Sequence, residues 1–393
     1  MNTKKQMIAA AIALACTAGV QAEDGNMFTL SGFGTVGTAH STERNADVVS
    51  DIQSAKGVGA SDATSARLDS RIALQVNGNF TEDFSAVVQA VSEHAVTDSY
   101  SPEIALAHVK YRFSPALSVR LGRITAPLYM LSEYQRVSYA APLVRQPNEV
   151  YNFLMAFDGV EGLYTFNAGD TVFGVQAFYG EINSDKIDVD DMAGVSFNVE
   201  RGASTFRAGY VRGNARFVTD DINRLFDTYG AIPSPSLAEL VRQLDPRRMD
   251  GTFKSFGYTY DPGNWFVRSE IIQSDFGAAL PSTSTSGFVN AGIRHGAWTP
   301  SLTFAHLDTS DQLKPGAADP FGGLNMAVAQ NVKSRHSYTA SLRWDAMDNV
   351  ALKLQGTHVK NHAGSWGSLA NFQPGFQPGR SYNLISASVD FVF

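Results

Sequence analysis

Residues 67–80 alternate without a break, with Leu68, Ser70, Ile72, Leu74, Val76, Gly78 and Phe80 on one side and Arg67, Asp69, Arg71, Ala73, Gln75 and Asn77 on the other. That period is a strand's, with one dry and one wet face. Residues 381–393 repeat it: Ile385, Ala387, Val389, Phe391 and Phe393 are apolar, and Ser386, Ser388 and Asp390 are polar. Such strands need partners on both edges, and only a sheet closed on itself has no edge left over. A soluble sandwich would turn the apolar side into its core. A transmembrane barrel inverts this, with the apolar side on lipid and the charges lining water.

The connections decide between the two. Short segments with turn chemistry fall at 81–83, 114–116, 167–169, 201–202, 261–264, 296–297 and 345–348. Long polar segments fall between them, at 41–65, 94–102, 125–152, 180–191, 213–251, 274–287, 308–335 and 360–380. A sandwich has no reason to gather its long loops at one end, whereas an outer-membrane barrel has tight periplasmic turns and long extracellular loops. The spacing gives an all-β, closed antiparallel barrel of about sixteen strands. Phe80, Tyr111, Phe113, Tyr164, Phe166, Tyr258, Tyr260, Trp265 and Trp344 cluster by the short turns, as an interfacial girdle does. The chain is 44% hydrophobic, but no apolar stretch is long enough to span as a helix, which excludes a helical membrane protein.

Lys4 and Lys5 precede an apolar run over 7–18 and a small-residue site at Val20-Gln21-Ala22, so residues 1–22 read as a secretory signal peptide and 23–393 as the barrel. Cys16, the one cysteine, lies in that leader, consistent with export through an oxidising compartment without disulfides. The formal net charge of −7 argues against a nucleic-acid partner. Gly32-x-Gly34-x-x-Gly37 matches a dinucleotide fingerprint formally, but a polar loop follows it where a helix is required. On a barrel strand these glycines instead permit bending or the close approach of a neighbour.

The segment 121–158 is unusually apolar for a connection, with Leu128, Tyr129, Met130, Leu131, Tyr151, Phe153 and Leu154 among its residues, so it packs against something. The terminal Phe393 on an alternating strand resembles the C-terminal signature of bacterial outer-membrane proteins. Leu121-Gly122-Arg123 followed by a long third loop resembles the Gram-negative general diffusion porins, although the loop lacks their glycine-rich acidic tip. The resemblance implies that the third loop folds into the lumen as an eyelet and that the barrel is a homotrimer in the outer membrane. It also implies contact with membrane lipid and lipopolysaccharide, recognition of Phe393 by the barrel-assembly machinery, and passage of small hydrophilic solutes. Carried over, the pattern sets loop acids Glu133, Glu149 and Asp158, with Arg136 and Arg145 beside them, against wall bases Arg67, Arg71, His108, Lys110, Arg120 and Arg123. Opposed charges across a narrow pore make a transverse field that orients dipolar solutes.

In the fifth loop Ser236-Leu237-Ala238-Glu239 reads as a capping box, with Leu237, Leu240, Val241 and Leu244 as a helical stripe over the mouth. His40, His94, His108, His295, His306, His336, His358 and His362 fall in no nucleophile or metal motif, so no enzyme, metal or cofactor is expected. The competing readings are a substrate-selective outer-membrane channel, a barrel hydrolase and a secreted adhesive β protein. The inside and outside register is testable. Cysteines at Arg71 or Gln75 should react with a small water-soluble thiol reagent in the assembled barrel, and cysteines at Leu74 or Val76 should react poorly because lipid excludes it. Equal labelling at all four positions refutes the register.

Overall fold

The structure, a computed structural model, describes residues 27–393 apart from 52, 95–97, 153–155, 185, 218, 278–279, 281–282 and 311–314. The expected leader with Cys16, and the loop residues Phe153 and Leu154, lie outside the described residues. Sixteen long strands run in sequence order, each antiparallel to the last. They are β1 (Phe28–Ser41), β2 (Arg71–Asn79), β3 (Phe84–Glu93), β4 (Glu103–Arg112), β5 (Leu117–Thr125), β6 (Ala156–Ala168), β7 (Thr171–Ile182) and β8 (Ile187–Arg201). The second half comprises β9 (Ser204–Phe217), β10 (Met249–Tyr260), β11 (Trp265–Asp275), β12 (Ser284–Ile293), β13 (Trp298–Thr309), β14 (Arg335–Met347), β15 (Val350–Asn361) and β16 (Ser381–Val392).

The sheet closes where β1 meets β16, from Phe33 opposite Val392 to Ser41 opposite Leu384. The Gly32 amide donates to the Phe393 carbonyl at 2.8 Å, and the Phe393 amide donates back at 3.0 Å. The glycines of β1 serve this seam. A Cβ on Gly32 would stand 2.4 Å from the Phe393 ring, and one on Gly34 would stand 2.4 Å from the Phe391 ring. Close approach of a neighbour is thus their role, as the sequence suggested.

Alternation sets the two faces. On β2, Ile72, Leu74 and Val76 stay exposed on the outer face, while Gln75 bonds Gln89 across the inner one. On β16, Ile385 is 56% exposed, whereas Ser386, Ser388 and Asp390 are buried within. Phe80, Tyr111, Tyr164, Trp265 and Trp344 are exposed beside the short turns, and Trp298 stacks on Trp344 with centroids 5.4 Å apart. An outward apolar band with aromatics at its rim is the surface a barrel presents to lipid.

Three expectations need correction. The strand expected from Arg67 begins at Arg71, because Ser70 Oγ bonds the Gly37 backbone and draws the preceding residues onto β1. Leu68 is consequently buried with Ala39, Val359 and Leu384. The long connection expected at 180–191 is only 183–186, since β7 and β8 extend through a register shift near Asp191, whose φ is +51°. The capping box fails too, because the fifth-loop helix begins two residues earlier, with Ser234 at the N-cap position making no side-chain capping bond and Pro235 in the first turn.

The expected stripe nevertheless holds. In α2 (Pro235–Leu244), Leu237, Leu240, Val241 and Leu244 are buried against a preceding helix, α1 (Asp220–Gly230), and a later one, α3 (Gly323–Gln330). At the seam, replacing Gly32 with Val or removing Phe393 should lower the heat-modifiable band and the membrane level of the protein severalfold. Gly356→Ala should be silent, because nothing lies within 4 Å of a Cβ there. Normal assembly of both seam variants counts against the closure described.

A loop fastened across the barrel lumen

The described part of the third connection, residues 126–152, turns inward and is fastened to walls on opposite sides. On β11, the Glu270 carboxylate accepts from the Met130 amide at 2.8 Å and from the Tyr151 hydroxyl at 2.5 Å. On β9, Arg207 donates to the Pro127 carbonyl at 2.6 Å. The apolar loop residues expected to pack do so here: Tyr129 and Tyr151 meet at 5.0 Å, with Phe253 and Phe288 of the wall at 5.5 and 5.8 Å. Across the lumen, Lys353 of β15 has all three ammonium protons engaged. They go to Asp390 of β16 at 2.9 Å, the Ser138 carbonyl at 2.5 Å and the Leu143 carbonyl at 3.1 Å. Thr35 of β1 also donates to Asp390, at 2.7 Å. Both charges of that pair have side chains with no exposure, so removing one partner alone strands the other, a cost of about 3–5 kcal/mol. Gln355 accepts from the amides of Val144 and Arg145, and Arg343 donates to the carbonyls of Tyr139 and Ala141.

Several of the expected constriction residues meet at this loop, with the polarity mixed. Glu133 on the loop takes Arg120 of β5 at 2.7 Å, and Arg120 also bonds the buried Glu161 of β6. Arg136 runs the other way, from the loop to the wall acids Glu93 at 2.9 Å and Glu103 at 3.4 Å, and Arg71 shares Glu93 at 3.6 Å. Arg145 chelates Asp69, both oxygens at 2.6 Å. Glu149 pairs with Arg335 of β14 at 3.1 Å in full burial, so it fixes the loop and is not open to the lumen. His108 and Lys110 face inward on β4, opposite Gly122 and Arg120.

Three residues sit elsewhere than expected. Arg67 precedes β2 and pairs with Asp62 at 3.6 Å. Asp158 is on strand β6 and not on the loop, directly opposite Arg123, with which it makes two bonds of 2.9 and 2.7 Å. That pair lies on the outer face, because Arg123 shares the parity of exposed Leu121 and Asp158 that of exposed Val160. Arg120 and Arg123 are three apart on one strand and so cannot both point inward.

The expected set also left out Glu270, Lys353, Asp390, Arg207, Arg343 and Arg268. Their signal was parity: Glu270 falls in step with inward Phe266 and Ile272, and Asp390 with Ser386 and Ser388. Arg268, next in that step, lies over Phe266 at 5.0 Å and makes no ion pair among the described residues.

Fold and site together define a class: a closed barrel with an apolar outer band and a charged lumen narrowed by its own third loop. The shape is that of the porin fold. The chain is similar to the anion-selective porin of Comamonas acidovorans, at 15% identity and a TM-score of 0.58, covering 93% of this chain and 99% of that one. It is similar to the outer-membrane channel DcaP of Acinetobacter baumannii, at 13% identity and 0.57, covering 96% and 100%. Salmonella typhi OmpF, in a complex with daunomycin, follows at 11% and 0.55, covering 95% and 99%. No protein-family model matches the sequence, and no curated protein matches it. At such identities the fold is what is shared.

The faces assigned here separate two kinds of charge. Neutralising Lys110 and Arg268 together, each to Gln, should shift the reversal potential in a salt gradient toward cations. Arg123→Gln should leave it where it was. A shift with Arg123→Gln, or none with the double variant, contradicts the assignment.

Proposed function

We propose that this chain is a passive, water-filled channel of the bacterial outer membrane that admits small hydrophilic solutes and ions and carries out no chemical step. One observation carries the reading: the loop over residues 126–152 crosses the inside of the barrel and is bonded to β9 and β11 on one side and to β14 and β15 on the other. A loop held that way narrows the path without needing to move. Charged side chains that keep some exposure beside it, among them Arg71, Lys110, Arg120 and Glu133, then border the remaining passage. Charges of both signs across a constriction favour dipolar, hydrated solutes over apolar ones.

The reading includes a leader removed at residue 22, a homotrimeric assembly, contact with lipid and lipopolysaccharide, and delivery through the barrel-assembly machinery by way of Phe393. It extends the porin resemblance to this chain. What supports the membrane setting is the outer face, where large apolar side chains such as Leu74, Leu302 and Ile385 stand exposed on strand after strand.

Deleting residues 128–147 tests the central claim. Single-channel conductance should rise and the size limit for solutes should relax, with the heat-modifiable band retained. If the loop packs elsewhere, conductance stays as it was while the oligomer weakens, and the eyelet reading falls.

A further inference from the structure

The inner wall is not polar throughout. Toward the long-loop end, β8, β9, β10 and β13 turn Ile187, Val211, Met249 and Leu307 inward, where alternation in a wet lumen calls for polar residues. Together with Leu128 of the inserted loop they line a cavity of about 170 Å³. Two cations border it: Arg212 of β9 is exposed and falls in step with outward Tyr210, whereas Lys333 comes from the connection before β14, its backbone amide donating to Thr309 at 3.1 Å. Its ammonium has no acidic partner among the described residues, and the nearby Arg335 is already taken by Glu149. Burial, with Arg335 adding its repulsion, pushes the Lys333 amine down to about 8. A structural lysine in such surroundings would carry a carboxylate beside it, because an unpaired charge among apolar groups is costly.

The geometry points to a binding site for a small amphipathic anion, a carboxylate on an aromatic ring or short alkyl chain, with its apolar body in this cavity and its charge on Lys333. The size fits, since an apolar cavity of about 150 Å³ accepts benzene. A hydrated sugar or a bare inorganic ion gains nothing from the apolar walls, and a neutral hydrocarbon leaves the ammonium unpaired. The site lies inside the barrel, beside the root of the inserted loop, so solute on its way to the constriction meets it. The inference rests on the channel reading for that route alone.

The test is titration calorimetry of benzoate into the full protein held in lipid nanodiscs, with empty nanodiscs as the blank. Saturable binding is expected, with benzyl alcohol, the uncharged analogue, at least about tenfold weaker. Lys333→Gln should weaken benzoate about tenfold or more and leave benzyl alcohol unchanged, while Lys333→Arg restores most of the benzoate affinity. Ala215→Trp, which fills the cavity from β9, should abolish both. The heat-modifiable band identifies variants that have folded. No saturable heat with the unaltered protein, or benzoate binding by Lys333→Gln within about twofold of it, overturns the site and leaves the channel reading to the loop deletion. Binding as expected in a protein that conducts no ions upholds the site and removes the channel.

Discussion

Every backbone amide and carbonyl on a strand needs a partner where no water is available, and a sheet with two free edges cannot supply them all. The seam between β1 and β16 is therefore the constraint on which the rest of the molecule depends. It is held by reciprocal bonds between Gly32 and Phe393 and by the rings of Phe391 and Phe393 lying over glycines. Two small residues and two large ones make a close fit at the one place where the ends of the chain must find each other. Inside, the same seam carries the Lys353 and Asp390 pair, which also reaches Thr35. Closure and loop insertion thus share side chains: the pair that spans β15 and β16 also fixes the Ser138 and Leu143 carbonyls.

That sharing explains the mixed polarity of the loop's contacts. Beyond its apolar footing on the wall, the loop is held at separate points, each closing its own charge balance. Glu133 meets an arginine, Arg136 and Arg145 meet acids, and Glu149 meets Arg335. Where the balance closes in full burial, as at Glu149 and Arg335, the bond sets position. Where side chains keep exposure, as at Glu133, the same chemistry remains available to solutes.

Much of this was legible in the sequence, and what was not has identifiable causes. Alternation over 71–79 and 381–392 gave the faces directly, since a period of two leaves no freedom once one residue is placed. The apolar content of the third loop announced that it packs. Its partners were not readable, because Glu270, Arg343 and Lys353 are distant in sequence and only the closed barrel brings them to it. The errors came from setting parity aside. Arg120 and Arg123 were both turned inward despite their spacing, and Asp158 was placed on the loop although it belongs to the strand register that pairs it with Arg123. The helices α1 and α3 escaped notice because their apolar positions are few and make sense only against α2.

The apolar inner wall is the largest departure from a simple alternating barrel. Residues such as Val211, Met249 and Leu307 would be poorly placed facing open water on both flanks of the lumen. Part of that wall is covered by Leu128, Tyr129 and Tyr151, which gives the loop an apolar footing on the β7 to β13 side beside its bonds to Arg207 and Glu270, and the β14 to β16 side adds further polar fastenings. A segment so seated cannot be turned over without exposing aromatic rings and taking the Ser138 and Leu143 carbonyls away from Lys353, and both costs favour one seating. What the loop does not cover is the stretch by Lys333, where an apolar wall and a cation with no acidic partner among the described residues remain open to each other. An uncovered apolar surface inside an otherwise polar lumen costs stability unless something occupies it, and Lys333 specifies the sign of charge that the occupant must bring.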